Sequence, residues 1–292
     1  MILIWLLGCG ADLLPGEVVL GDEHPAITIE GSPGSGFGAA VAVTEGDGGE
    51  LRVLVGAPDV GEVTALDAQG DVLWSVRGEV GLGTRVGWHQ GRPWAWAPGG
   101  EVLMDIDQSM QGASTDDSTA VTVCPDGEVL TRSEAGADIA CASGGRIATA
   151  CEGTACTVER SGSQIDQEVT SAGSAVGFWG STACFGDARI AQEEAPGGVW
   201  CEDGVTVEGL PGDHLGLAIA GGRAAGVFNR HIRPPRARIV SLDDGDVWAV
   251  DRAAERSRIA LGAGGGIVAV GVPGFGQGEA REGRVFLVQV DQ

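Results

Sequence analysis

Two series of glycines, each set between short apolar runs, alternate along the chain and restrict what it can fold into. The first comprises Gly49, Gly91, Gly145, Gly180, Gly222 and Gly266, spaced 42, 54, 35, 42 and 44 residues apart, as in DGGELRVLVGAP and AGGGIVAVGVP. The second comprises Gly70, Gly127, Gly162, Gly204 and Gly245, three of them preceded by Asp, as in VTVCPDGEVLT and VSLDDGDVWAV. Asp-Gly between β-rich runs signals a hairpin, because both central turn positions require φ > 0. Since the series interleave, each unit reads as strand a, turn, strand b, connection, strand c, turn, strand d. Four antiparallel strands at a period near 42 residues describe a propeller blade. The pattern therefore predicts an all-β, six-bladed β-propeller of four-stranded antiparallel blades. The last unit, from Ser257 to the closing GRVFLVQVDQ, lacks a strand d. Residues 25–31, PAITIEG, are expected to supply it, closing the ring with an N-terminal strand and removing free sheet edges.

One interval breaks the rhythm. Gly91 to Gly127 spans 36 residues where the other units take 17 to 24, which places an insertion in blade 2 at 105–119, DIDQSMQGASTDDST, between strands b and c. If that segment is an extra strand pair, the count becomes seven blades.

The 51 glycines among 292 residues follow no G-X-Y period, and a hydrophobic content of 43% is too high for disorder. The net charge of −23 sets a field that repels phosphate backbones, so nucleic acid is not an expected partner. All the basic residues are Arg and none is Lys.

The chain opens MILIWLLGCGADLLPGE. Leu6-Leu7-Gly8-Cys9 resembles the lipobox of bacterial lipoproteins, in which the cysteine becomes the lipidated first residue of the mature chain. The resemblance implies a signal segment at 1–8 and lipidation at Cys9; a tether at 9–24 would then lead into the single propeller domain that the repeat places at 25–292. No Arg or Lys precedes the apolar run, and the run is far shorter than the ~20 residues of a membrane-spanning helix. The alternative is a buried first strand ending in an ordinary core cysteine. Without Cys9, six cysteines remain: Cys124, Cys141, Cys151, Cys156, Cys184 and Cys201. An even set confined to one third of the chain suits disulfides in an oxidising compartment, with zinc as the rival use. Of the 15 possible pairings, the expected one joins Cys151 to Cys156, Cys184 to Cys201, and Cys124 to Cys141.

The stretch GSGFGAAVAV…LRVLVGAP, with Phe37-Gly38 and Gly56-Ala57-Pro58, resembles the FG-GAP repeat of integrin α-subunit propellers and of many bacterial surface proteins. A second copy is VAVGVPGFG…GRVFLV, with Gly271-Val272-Pro273, while the four middle units match only in rhythm. Calcium-binding copies of that family carry D-x-[DN]-x-D-G-x-x-D before the apolar strand. Here the corresponding positions fall on Thr44, Gly46, Gly48 and Arg52, and the loop of the last unit is GAGGGI. The resemblance thus implies a repeat without its calcium, and no cofactor is expected. Asp105–Ser109 alternates oxygen-bearing side chains but has Met110 where an EF-type loop needs glycine. Asp243-Asp244 sits in a hairpin turn, a place Asp favours for geometry alone.

A catalytic constellation is not evident. His24, His89, His214 and His231 fall in different repeats, and no G-x-S-x-G, HExxH or phosphate loop occurs. Trp94, Trp96, Trp179, Trp200 and Trp248 lie in strands and are expected to fill the packing between blades. The most unusual surface feature is RHIRPPRARI, 230–239, read as the b–c connection of blade 5. Arg230, His231, Arg233, Arg236 and Arg238 are the candidate binding residues. They would grip an acidic glycan or a protein partner, on the loop face that integrin relatives use for ligands. Alternatively Arg233 or Arg236 pairs with Glu279, Glu282 or the acidic insertion, and the loops pack on one another. The expectation is a lipoprotein of the outer membrane or cell surface, periplasmic or extracellular. It would meet membrane only through its lipid and act as a non-catalytic binding or scaffolding module. An envelope hydrolase or lyase with a site at the propeller mouth is the rival class.

Overall fold

The computed structural model describes residues 17–290, apart from 23, 47, 107–110, 115–117, 134–137, 143–144, 153–154, 162, 170–174, 189–195, 229–235, 252–258 and 276–281. It is a six-bladed β-propeller. Before the first blade lie β1 (Glu17–Val19) and β2 (Ile27–Glu30). Blade 1 is β3 (Ala40–Glu45), β4 (Leu51–Ala57), β5 (Glu62–Asp67) and β6 (Val72–Arg77), and blade 2 is β7 (Arg85–His89), β8 (Arg92–Trp96), β9 (Glu101–Met104) and β10 (Gln111–Ser114). A separate two-stranded sheet follows, β11 (Ala120–Val123) with β12 (Val129–Arg132). Blade 3 is β13 (Ile139–Ala142), β14 (Gly145–Glu152), β15 (Ala155–Arg160) and β16 (Ser163–Val169). Blade 4 is β17 (Val176–Trp179), β18 (Thr182–Gly186), β19 (Gly198–Cys201) and β20 (Thr206–Glu208). Blade 5 is β21 (Ala218–Ala220), β22 (Arg223–Phe228), β23 (Arg236–Ser241) and β24 (Val247–Asp251), and blade 6 is β25 (Ala260–Gly264), β26 (Ile267–Val272) and β27 (Arg284–Gln289) completed by β2.

The turn glycines sit where the two series put them. All six of the first series have positive φ, from 59° at Gly180 to 125° at Gly145. So do Gly70, Gly127, Gly204 and Gly245, while Gly162 lies outside the described residues. Ring closure also follows the sequence: β2 pairs antiparallel with β27, Ile27 opposite Leu287 and Glu30 opposite Arg284. The a–b and c–d turns therefore share one face of the disk, the turn face. The b–c connections and the links between blades share the other, the loop face.

Two expectations need correction. The Gly127 hairpin is not the outer half of blade 2. β9 and β10 already fill that place, Leu103 pairing with Ala95 on one side and with Gly112 on the other. QGAS carries no apolar alternation, so its sequence does not announce a strand. The connection from Met104 to Gln111 consequently leaves blade 2 at its turn end, where Ile106 N–H donates to Pro93 O, and not on the loop face. The extra pair is β11–β12, which occupies a seventh position in the ring between β7 and β13. Second, the segment read as a tether is partly folded. β1 pairs in parallel with β24 and adds a fifth strand to the rim of blade 5.

Burial is organised between sheets. Between blades 5 and 6, Ile239, Trp248 and Val250 pack against Val268, Val270 and Phe286, and between blades 6 and 1, Ala269 and Val285 meet Val53 and Val55. Trp94 and Trp96 pack against Val121 and Val123, so the tryptophans of blade 2 cover the inner side of the two-stranded sheet. Its other side has a smaller cluster, Ala120 with Ile139 and Ala148.

Candidate functional site

Phe37-Gly38 and Gly56-Ala57-Pro58 lie at joints between blades. Gly38 (φ 86°) lies so close to blade 6 that a Cβ there would meet Arg284 O at 2.7 Å and Gly271 Cα at 3.2 Å. A Cβ on Gly56 would lie 1.9 Å from Gly83 O, and one on Gly186 2.4 Å from Gly216 O. Each contact sets a glycine at the outgoing end of a strand b against a left-handed glycine at the start of the next blade. The residues before those glycines, Phe37, Leu82 and Leu215, are buried. Phe-Gly in blade 1 thus has Leu-Gly counterparts in blades 2 and 5 that a search for Phe misses. In the loop that precedes β4, Glu50 accepts from Gly48 N–H at 3.0 Å and pairs with Arg52. Its carboxyl lies below the usual range, chiefly through its own backbone N–H and also through Arg52.

The arginine segment divides at the start of β23. Arg230, His231 and Arg233 lie outside the described residues. Arg236 and Arg238, read as surface loop, are strand residues only 4% and 3% exposed. They alternate with Ala237 and Ile239, which face blade 6, so both guanidinium groups are directed to the other side of the sheet. Arg238 donates from Nε to Glu17 Oε1 at 3.0 Å and from Nη1 to Asp213 Oδ1. Arg236 donates from Nε to Asp251 and lies 3.7 Å from Glu17 Oε2. Glu17 belongs to β1 and Asp213 to the link entering blade 5, so the cluster joins three separate parts of the chain. Burial pushes the Asp213 carboxyl up against the opposing pull of Arg238. Burial alone would lower the Arg238 guanidinium, but Asp213 and Glu17 outweigh it and raise it. Neither acid is signalled by motif, and Glu17 stands 221 residues from the arginine it meets. The alternation RARIV was the one signal available for the two arginines.

At the loop-face ends of the inner strands, Asp138 connects three units. It accepts from Arg85 Nη2 at 2.6 Å and from Val176 N–H at 3.1 Å, and its own N–H donates to Thr149 Oγ1 at 2.7 Å. Arg85 opens blade 2, Thr149 belongs to blade 3 and Val176 opens blade 4, so the carboxylate clamps the ring across the β11–β12 position. The three described histidines do not converge. His24 lies edge-on to Trp248, His89 is 3.0 Å from Cys124 O, and buried His214 is 3.1 Å from Ala188 O. Among the described residues no group of three or more His, Cys, Asp or Glu side chains is placed to hold a metal ion.

Two of the expected disulfides are formed. Cys184–Cys201 crosses neighbouring strands of blade 4, and Cys124–Cys141 ties the two-stranded sheet to β13 of blade 3. Cys151 and Cys156 are opposite each other in the β14–β15 ladder, and their side chains fall outside the described residues. Two disulfides fit an extracellular or periplasmic location.

No family model matches the chain, and no curated protein matches it. Solved propellers do. The computationally designed Ika8 protein is 14% identical with a TM-score of 0.50, covering 89% of this chain and 98% of that one. BBS1N, solved in complex with ARL6DN, is 9% identical with a TM-score of 0.55, covering 91% and 98%. Virginiamycin B lyase from Staphylococcus aureus is 11% identical with a TM-score of 0.43, covering 91% and 100%. At such identities the likeness is one of fold alone, and a propeller fold is consistent with a binding module.

Proposed function

We propose that this chain is an exported, lipid-anchored propeller that acts as a non-catalytic binding or scaffolding module through its loop face. The resemblance of Phe37-Gly38 and Gly56-Ala57-Pro58 to the FG-GAP repeat of surface propellers supports the class. The lipobox-like Leu6-Leu7-Gly8-Cys9 and the two disulfides support the compartment. The observation that carries the reading is the division of the arginine segment. Arg236 and Arg238 are neutralised inside blade 5, so recognition of an acidic glycan or an acidic protein falls to Arg230, His231 and Arg233.

The test is a pull-down from the native envelope with the soluble propeller beside a variant carrying Arg230→Ser and Arg233→Ser. Arg236 and Arg238 are left intact, because replacing them would unpair buried charge. A partner recovered by the parent and lost by the variant supports recognition through the loop face. Equal recovery by both removes the arginine segment from the binding surface.

A further inference from the structure

The two-stranded sheet between blades 2 and 3 ends where the blades beside it continue. β11 lies between the inner strands β7 and β13, so β12 stands in the position of a strand b. Strand b of blades 1, 2, 4 and 6 contains a run of at least four buried residues. β12 has no buried residue, and Thr131 is exposed. Among the described residues β12 pairs with β11 alone.

The phase of the ladder fixes what that edge offers. Cys124 N–H donates to Glu128 O at 2.9 Å, and Thr119 N–H donates to Arg132 O at 2.6 Å. Backbone groups alternate between the two sides of an antiparallel strand. Leu130 and Arg132 therefore turn theirs to β11. Val129 and Thr131 turn theirs outwards, where they have no hydrogen-bond partner among the described residues. A row of unpaired N–H and C=O groups is a template for another strand.

The outer edges of the four-stranded blades lie on the rim, but this one is recessed between two walls. On one side Val102 and Met104 of β9 pack with Val129 and the tryptophans of blade 2. On the other, Glu159 of β15 pairs with Arg132, and the two side chains are 32% and 28% exposed. A third strand entering here would set alternate side chains against the apolar wall and beside a partly exposed carboxylate. Charge favours cations in that second row. At the turn end Asp126 and Glu128 share Arg146, and the whole chain carries −23.

We propose that the outer edge of β12 is a docking site for an extended segment of a partner protein, in which apolar residues alternate with Lys or Arg. The segment adds to the sheet as strand c does in the other blades. Its main chain bonds Val129 and Thr131, its apolar row lies on Met104 and its basic row lies beside Glu159. This surface is separate from the arginine segment of blade 5 and takes a partner of the opposite charge.

The full chain with its disulfides intact is titrated with a dye-labelled peptide, Thr-Val-Lys-Val-Lys-Val-Thr, blocked at both ends, and with the same peptide carrying Glu in place of Lys. Saturable binding of the lysine peptide is expected, with the glutamate peptide about tenfold weaker. Amide exchange should slow at Val129 and Thr131 when the lysine peptide is added. Thr131→Pro removes an outward N–H that does not serve β11, so the fold should persist while the affinity falls about tenfold or more. Thr131→Ser keeps that N–H and should bind as the parent does. Absence of saturable binding overturns the proposal, as does undiminished affinity in a folded Thr131→Pro. Should Thr131→Pro unfold, the exchange map of the parent decides, and protection placed away from β12 overturns the site. Equal binding of the two peptides overturns the basic character of the segment.

Discussion

Glu17 and Arg238 stand 221 residues apart in the chain and 3.0 Å apart inside the folded protein. Their bond closes a cluster with Asp213, Arg236 and Asp251 in which every long side chain reaches across a strand or a blade. Such clusters add little net stability over an apolar core, yet losing one member leaves charge buried without its partner. Arg238→Met is expected to cost about 3–5 kcal/mol, read as a lower urea midpoint. Glu17→Gln combined with Arg238→Met should cost less than the sum of the single changes. Strict additivity would show that the pair is not coupled.

Asp213 gives the cluster a pH dependence of known sign. Its folded-state carboxyl titrates above the ordinary value of 3.8 because burial opposes ionisation. In the window from 3.8 up to that raised value the native protein binds more protons than the unfolded chain, so stability falls as pH rises through it. Asp213→Asn should flatten the dependence of the urea midpoint on pH in this window. An unchanged slope would assign it to other groups.

How far the sequence can be read is clear from particular residues. Turn positions were legible because a left-handed turn selects glycine directly, as at Gly49 and Gly245. Ring closure was legible because β27 lacked a partner and PAITIEG alternated. The half-filled ring position between blades 2 and 3 was not, since Gln111–Ser114 pairs through its backbone without an apolar pattern. Arg236 and Arg238 were mistaken for loop because charge suggests exposure, and only the strand period distinguishes a buried row of arginines from a solvated one. Their partner Glu17 carries no local signal at all, because the contact depends on where β1 docks.

The glycine joints permit a sharp comparison. Gly56→Ala would drive a methyl group to 1.9 Å from the Gly83 carbonyl, and backbone on both sides gives way poorly. A loss of about 1–3 kcal/mol or more is expected, with hydrogen-exchange protection falling in both β4 and β7. Gly91→Ala meets open space and is strained only by its φ of 75°, so about 1–2 kcal/mol and a strictly local effect are expected. Equal, local effects from both would mean that the joint yields easily.

The two disulfides close loops of equal sequence separation, 17 residues, and so should restrict the unfolded chain equally, by about 3 kcal/mol each. Their folded surroundings differ. Cys184–Cys201 crosses a sheet whose strands are already held by ladders on either side. Cys124–Cys141 secures β11–β12, a pair that among the described residues has no ladder to either neighbouring blade, and two-stranded sheets are marginal on their own. Side-chain contacts also hold that pair, among them His89 at Cys124 O, Arg146 with Glu128, and Arg132 with Glu159. Removing Cys124 and Cys141 together should therefore release amide exchange across 120–132 well below the global unfolding transition. Replacing Cys184 and Cys201 should lower the global transition and leave the ranking of local protection unchanged. If β11–β12 keeps full protection without its disulfide, packing against Trp94, Trp96 and Ile139 is enough to hold the seventh ring position.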